Sequence, residues 1–200
     1  MEKQIINPIK EIKISNSNKL FFTSDTHFCH KNIIKYCNRP FKDCHEMNEA
    51  LIKNWNSVVP EDGEVWHLGD FCFGGSKDWC TIFSRLNGHI HLVLGNHDVS
   101  AEGSILSLFD SFHGGLARLR VNNTTVIWLS HFPLLCWSES NRGAWNLFGH
   151  VHTTKDKHQT GFDYERTHKF KTEYQYDVGV DFNDYKPISY DELLIKFKNV

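Results

Sequence analysis

The chain has 200 residues, with 22 Lys and Arg against 24 Asp and Glu and a formal charge of −2. That length suits one domain with a sizeable core, and 15 Phe, 6 Trp and 6 Tyr exclude a disordered, solvating chain. The near balance of charge gives no global basic field, which weighs against a non-specific nucleic-acid or membrane-surface binder but leaves a small nucleotide substrate open.

In chain order, Ile9–Ile14 alternates loosely and 15–18 carries turn chemistry. This predicts an edge strand hairpinned to a first core strand, Leu20–Ser24. His30–Cys37 reads as a short helix closed by Asn38-Arg39-Pro40. Asp43 with Glu46 forms a capping-box pattern, and Met47, Leu51, Trp55 and Val58 recur at helical steps before Pro60. Glu64–Leu68 is the second core strand. Ser76 is the expected cap of a helix that buries Trp79, Cys80, Phe83 and Leu86 and ends at Asn87-Gly88.

The central strand follows in Ile90–Asp98, I-H-L-V-L-G-N-H-D. Ser104–Phe109 predicts a helical turn or two. Asn122-Asn123 predicts a hairpin turn between Leu116–Val121 and Thr124–Ser130, with Arg118 and Arg120 on a solvated face. Trp145–Phe148 and Tyr176–Val180 read as strands, Thr153–Thr172 as a surface loop, and Ser189 with Glu192 as the cap of a last helix through Phe197. Without repeat or linker, residues 1–200 read as a single domain. Six cysteines form no C-x-x-C pair, and neither an N-terminal apolar h-region nor a run of roughly 20 apolar residues is present. The expectation is a reduced, cytoplasmic protein whose cysteines serve mainly as small core hydrophobes.

Five strand-like runs end in oxygen or imidazole donors. They are Leu20–Ser24 before Asp25-Thr-His27, Glu64–Leu68 before Gly69-Asp70, Ile90–Leu94 before Gly95-Asn96-His97-Asp98, Thr124–Ser130 before His131, and Trp145–Phe148 before Gly149-His150-Val-His152. Ligands of open α/β sheets bind beyond the carboxyl ends of strands, so seven donors at five such ends point to one metal centre. The set mixes N and O without thiolate, which favours Mn, Fe, Zn, Ni or Co over a cysteine zinc site or an all-oxygen Ca or Mg cage.

The order D-x-H, G-D, G-N-H-D, H, G-H-x-H from Asp25 to His152 resembles the calcineurin-like metallophosphoesterase superfamily. Thr23-Ser-Asp-Thr-His-Phe28, Asn32-Ile-Ile and Arg39-Pro-Phe41 further resemble its small bacterial and phage members. The resemblance implies an α/β fold, a four-layer α/β/β/α sandwich of two mixed sheets flanked by helices, and two divalent ions, with Mn first among the metals. One ion would take Asp25, His27 and His152, the other Asn96, His131 and His150, with Asp70 bridging. A hydroxide bridging the ions would attack phosphorus in line, Asn96 would bind phosphoryl oxygens, and His97 would serve the leaving group with Asp98 as its orienting carboxylate.

Milder readings stand beside these. His97 reads alternatively as a bystander and Asp98 as the cap of the following segment. His30 and Arg39 are candidate phosphate contacts, with packing an equal alternative for Arg39. His89 and His91 sit at the wrong end of their strand and read as structural or exposed; His113, His158 and His168 read as solvated loop residues, and His45 as the polar side of its helix. Trp137 and Trp145 read as core before pocket.

The function expected is a metal-dependent phosphoesterase acting on a small phosphate ester, with a diester of small or cyclic nucleotide type ahead. Alternatives are a phosphomonoesterase, a nuclease, or a non-catalytic metal-binding interaction module. Only Lys31, Lys35, Arg39 and Lys42 gather near the motifs, which is thin for a nuclease groove. His150-Val-His152 does not continue into the metallo-β-lactamase H-x-H-x-D-H, and an amidohydrolase would place its H-x-H at the first strand.

Overall fold

The computed structural model describes residues 9–98, 103–153 and 173–198. In chain order the strands are β1 (Glu11–Ile14), β2 (Leu20–Thr23), β3 (Glu64–His67), β4 (His89–Val93), β5 (Ser111–His113), β6 (Leu116–Val121), β7 (Thr125–Ser130), β8 (Trp145–Phe148), β9 (Gln175–Asp177) and β10 (Ile188–Ser189). The helices are α1 (Ile33–Tyr36), α2 (Cys44–Val58), α3 (Ser76–Phe83), α4 (Gly103–Leu106) and α5 (Tyr190–Lys198). Two five-stranded mixed sheets form, ordered β10-β2-β3-β4-β5 and β1-β6-β7-β8-β9. With their flanking helices they make the expected α/β sandwich. In the first sheet only β10 runs antiparallel; in the second only the β6–β7 pair does.

Strand alternation divides the buried side chains between two cores. Leu20, Phe22 and Trp66 meet Leu119, Ile127, Leu129 and Leu147 between the sheets, and α5 adds Leu193 and Phe197. Phe21, Val65, Ile90 and Leu92 point the other way, onto Met47, Leu51 and Trp55 of α2 and Trp79 and Ile82 of α3. The α2 cap is as the pattern predicts: Glu46 N–H donates to Asp43 Oδ1 at 2.9 Å. Ser189 and Glu192 cap α5 reciprocally. Asn122 and Asn123 take φ of 50° and 59°, the left-handed pair that a two-residue hairpin turn requires.

Several expectations change. β1 does not hairpin onto β2; it pairs parallel with β6 at the edge of the other sheet. The Glu11 carboxylate there meets Arg118 and Arg120, so opposite charges across the strands fix the register, and Ile14 enters the inter-sheet core. The cap of α3 is Gly75, whose N–H donates to Asp78, and this helix ends after two turns, burying Trp79 and Ile82 but leaving Cys80 exposed. His113 belongs to β5, half-buried against Trp66 and Ser111. Of the six unpaired cysteines only Cys72 is buried. The expected loop over 154–172, with His158 and His168, lies outside the described residues. Among the described residues no helix is long and apolar enough to cross a membrane.

Candidate metal centre

β2, β3 and β4 run parallel and in register, so Asp25, Asp70 and Asn96 leave the first sheet along one edge. β7 and β8, also parallel, deliver His131, His150 and His152 from the second sheet. The loops continue as a ladder. Asp25 N–H donates to Gly69 O and His27 N–H to Asp70 O, both at 3.0 Å, and Phe28 N–H donates to Phe71 O at 2.9 Å. The sheets are tied at this edge by Val180 N–H to Ser24 O (3.0 Å) and His150 N–H to Asp25 Oδ2 (2.8 Å).

Convergence requires the chain to leave strand geometry. Asp25, His27, Asp70, His150 and His152 all have left-handed backbone, with φ of 57°, 49°, 58°, 69° and 47°. Each costs about 1–2 kcal/mol for a residue with a Cβ, a strain that persists only where surrounding contacts enforce it and that gathers at functional sites. Two glycines allow the close approach. A Cβ at Gly95 would lie 2.3 Å from Asp70 Oδ1, and one at Gly149 would lie 2.3 Å from Asp25 Oδ2.

Two groups of donor atoms result, Asp25 with His27 and His152, and Asp70 with His131 and His150; within each the ligating atoms lie within 4.8 Å of one another. Asn96 joins the second, its Oδ1 2.9 Å from His131 Nε2. Asp70 Oδ2 stands between the groups, 3.6 Å from His27 Nε2 and 3.5 Å from His131 Nε2, whereas Oδ1 accepts the His97 N–H at 2.9 Å. One oxygen, not two, therefore faces both groups. Buried Asp25 Oδ1 and both ring nitrogens of His27 have no hydrogen-bond partner. A buried polar group left so costs about 1–3 kcal/mol, and a cation held by that carboxylate and by His27 Nε2, the nitrogen facing Asp25 and Asp70, removes the deficit at those two atoms. The residues present thus fit divalent metal ions.

The histidines of the two groups differ in protonation: His27 is held neutral, whereas neighbouring carboxylates hold His131 and His152 towards imidazolium, a proton that a bound metal ion would have to displace. Burial, then His152 and Arg39, holds the His27 pKa well below its ordinary value, so the ring is neutral as a ligand must be. Burial disfavours the His131 imidazolium, but Asp70 and Asp25 outweigh it and push its pKa up to about 9. His131 Nδ1 lies 2.7 Å from Leu68 O and donates there, which turns Nε2 towards Asn96; with the amide oxygen facing it at 2.9 Å, a proton or a cation at Nε2 satisfies the contact.

The remaining candidates divide. His97 is half-exposed at the mouth, Nε2 3.9 Å from Asp70 Oδ2 and its ring 5.9 Å from that of His27. Asp98 does not orient it. Its carboxylate accepts backbone N–H groups of Asp70 (2.7 Å), Gly95 (2.9 Å) and Phe71 (3.1 Å), so it fastens the two loops together. His30 lies at the rim, 5.4 Å from His27 and stacked on Phe73. Arg39 is no phosphate contact: it is buried, and its donors go to Asp181 Oδ1 and Oδ2, Asp25 O, Thr26 O and Met47 Sδ. Trp145 packs on Tyr190 and Phe197 in the core, and Trp137 donates to Ala144 O. His89 pairs with Asp110 and His91 stacks on Trp66, remote in role from the centre as expected.

Sequence reasoning missed Asp181 and His67. The chain beyond β9 bridges to Ser24 at Gly179, which sets Asp181 beneath the site. Asp181 Oδ2 accepts from His152 Nδ1 at 2.8 Å and from Arg39 at 2.9 Å. Burial would raise its pKa, but Arg39 and His152 depress it to about 2. Cys37 lies close enough to His152 and Asp181 to form a third group, sharing His152. The only sequence signal for Asp181 is an acidic residue in the apolar run V-G-V-D-F.

No family model matches the chain. It is 34% identical over 180 residues to the uncharacterized protein MJ1445 of Methanocaldococcus jannaschii, across 89% of this chain and 90% of that protein. The Gene 66 protein of Mycobacterium phage L5 is 31% identical over 161 residues, across 66% of this chain and 77% of that protein. Among solved structures, the protein of unknown function AQ665 from Aquifex aeolicus superposes with a TM-score of 0.66 at 25% identity, covering 88% of this chain and 97% of that one. Nuclease MPE of Pseudomonas putida superposes only loosely, with a TM-score of 0.44 at 18% identity over 67% of this chain and 62% of that one. Matched across nine-tenths of MJ1445, the chain belongs to the same family as that archaeal protein and the phage Gene 66 protein.

Proposed function

We propose that this chain is a metal-dependent phosphoesterase of the calcineurin-like type, hydrolysing a phosphate ester, with a phosphodiester ahead of a monoester. The observation that carries this reading is the pair of donor groups facing a common Asp70 oxygen. Asp25, His27 and His152 would hold one divalent ion and Asn96, His131 and His150 the other; these donors suit Mn, Fe, Zn, Ni or Co, among which the family resemblance puts manganese first. Bound ions of this kind supply Lewis acidity and a nucleophilic water at neutral pH. The chain's own residues supply the rest. Asp70 fixes the spacing of the two groups, and Asp98 locks the loops that carry Asp70 and Asn96. The Asn96 amide binds a phosphoryl oxygen as charge builds there. His97, half-exposed beside Asp70, donates a proton to the departing alkoxide. That role matters most for a poor leaving group, which favours a diester.

The test is hydrolysis of aryl phosphodiesters, cyclic nucleotides and monoesters by manganese-loaded protein, with metal analysis of the same sample. Chelator-sensitive diester hydrolysis is expected. Bound metal without hydrolysis of any ester would favour the interaction-module reading instead.

A further inference from the structure

We propose that Phe73 and Phe132 are stacking platforms for two nucleobases, one on each side of the scissile phosphate of a short single-stranded phosphodiester. This rests on the phosphoesterase reading and specifies its substrate class. The Phe73 ring stands 5.2 Å from His27 and 4.6 Å from His97, and it stacks on His30 with centroids 3.9 Å apart and planes within 7°. The Phe132 ring stands 4.3 Å from His150 and 5.0 Å from His131. One phenyl therefore borders each donor group. Both are open to solvent, Phe73 at 39% and Phe132 at 49%.

The solvent-facing part of each ring gains the protein little in folding, and both abut the residues that would meet substrate. The rings that neighbour them at the site are histidines, which suits a flat group with polar edges. Tyr36, also exposed, extends the Phe73 side, 6.2 Å from His30. Bases stack on such faces with little regard to sequence. Among the described residues backbone grip is weak: of the basic residues near the first motif, Arg39 is buried on Asp181, leaving Lys31, Lys35 and Lys42. Stacking beside the metal centre then has to hold the ligand, which points to a dinucleotide or short single strand over a duplex. Because His97 lies next to Phe73, the leaving nucleoside stacks on Phe73 and the retained one on Phe132.

Bis(4-nitrophenyl) phosphate and methyl 4-nitrophenyl phosphate share a leaving group and differ only in the retained one. Wild type should favour the diaryl ester. Phe132→Ala should reduce that preference in kcat/KM by about tenfold, the scale of one lost base–aromatic stack, and Phe132→Trp should restore it. Phe73→Ala should leave this particular ratio near the wild-type value. Calorimetry on manganese-loaded protein supplies a readout without turnover. Wild type should bind thymidine 5′-monophosphate more tightly than inorganic phosphate, and the Phe73→Ala, Phe132→Ala double variant should lose that preference while keeping its metal content. An unchanged ester ratio in Phe132→Ala, or equal binding of nucleotide and phosphate by wild type, overturns the platforms. Nucleotide preference without hydrolysis of either ester overturns the phosphoesterase reading and leaves the platforms standing. Hydrolysis of both esters without aryl preference does the reverse.

Discussion

Asp181 Oδ2 lies 2.8 Å from Nδ1 of His152, and the carboxylate is in turn gripped by Arg39 through both of its oxygens. The bond fixes the His152 tautomer, leaving Nε2 to face Asp25 Oδ1 at 3.9 Å. Arg39 also binds the carbonyls of Asp25 and Thr26, so a single guanidinium sets both the first loop and the carboxylate behind the last.

Asp181→Asn should act on both stability and metal binding. It leaves the buried Arg39 charge unpaired, a loss of about 3–5 kcal/mol when one partner of a buried pair is removed. It also weakens the orientation of His152, which should lower affinity at the Asp25–His27–His152 group by about 10–100-fold and spare the other. Urea unfolding of metal-free protein and manganese titration measure the two effects. Equal weakening at both groups would make Asp181 a general structural residue.

Asp70→Asn differs in pattern. Its Oδ2 faces His27 and His131 at nearly equal distance, so loss of the charge should weaken both groups together. If calorimetry finds one group lost and the other untouched, Asp70 belongs to one ion only.

His67, which holds the Asp70 loop without being a ligand, predicts a pH effect on stability. Gly69 N–H donates to its Nδ1 (3.2 Å), so the ring proton sits on Nε2 and goes to Thr26 Oγ1 (3.0 Å), whose hydroxyl donates to Phe71 O (2.8 Å). Full burial pushes its pKa down to about 3 from an ordinary value of 6.5. Between those values the unfolded chain binds a proton that the folded chain refuses. The stability that neutral His67 contributes is therefore complete above pH 6.5 and drains away as pH falls towards 3, by up to about 1.4 kcal/mol per unit. His67→Gln should remove this contribution, so its stability deficit against wild type should narrow between pH 6.5 and 4. A deficit constant with pH would mean that His67 titrates alike in both states.

The strand ends and their donors were legible because each lies within its own short stretch of sequence. An apolar run, a glycine and a donor fix one loop, and the parallel order of β2, β3 and β4 then brings the loops together. What was hidden depends on distant chain. Asp181 reaches His152 only because the segment after β9 crosses to Ser24, and of the two equal readings of Arg39, phosphate contact and packing, it is Asp181 that decides for the buried anchor. Asp98 beside His97 suggested a paired role, yet the turn aims its carboxylate at backbone N–H groups of the neighbouring loop. β1 carried an alternation that fits an edge of either sheet, and the choice came from Arg118 and Arg120, more than 100 residues away.

His97→Ala separates catalysis from metal binding. The ring lies outside both donor groups, so the variant should keep its metals and lose turnover by about the 10²–10⁴-fold typical of general acid–base groups. The loss should shrink from alkyl to nitrophenyl diesters, because a nitrophenolate departs without a proton. Parallel dependences on leaving-group pKa would assign His97 to the phosphoryl oxygens instead.

The central claim is that two metal ions share Asp70, and anomalous diffraction from crystals grown in manganese tests it most directly. Two manganese peaks are expected about 3.5–4 Å apart, one beside Asp25, His27 and His152, the other beside Asn96, His131 and His150, with Asp70 between them. A single peak, peaks not joined by Asp70, or a peak at Cys37, His152 and Asp181 in their place would contradict it.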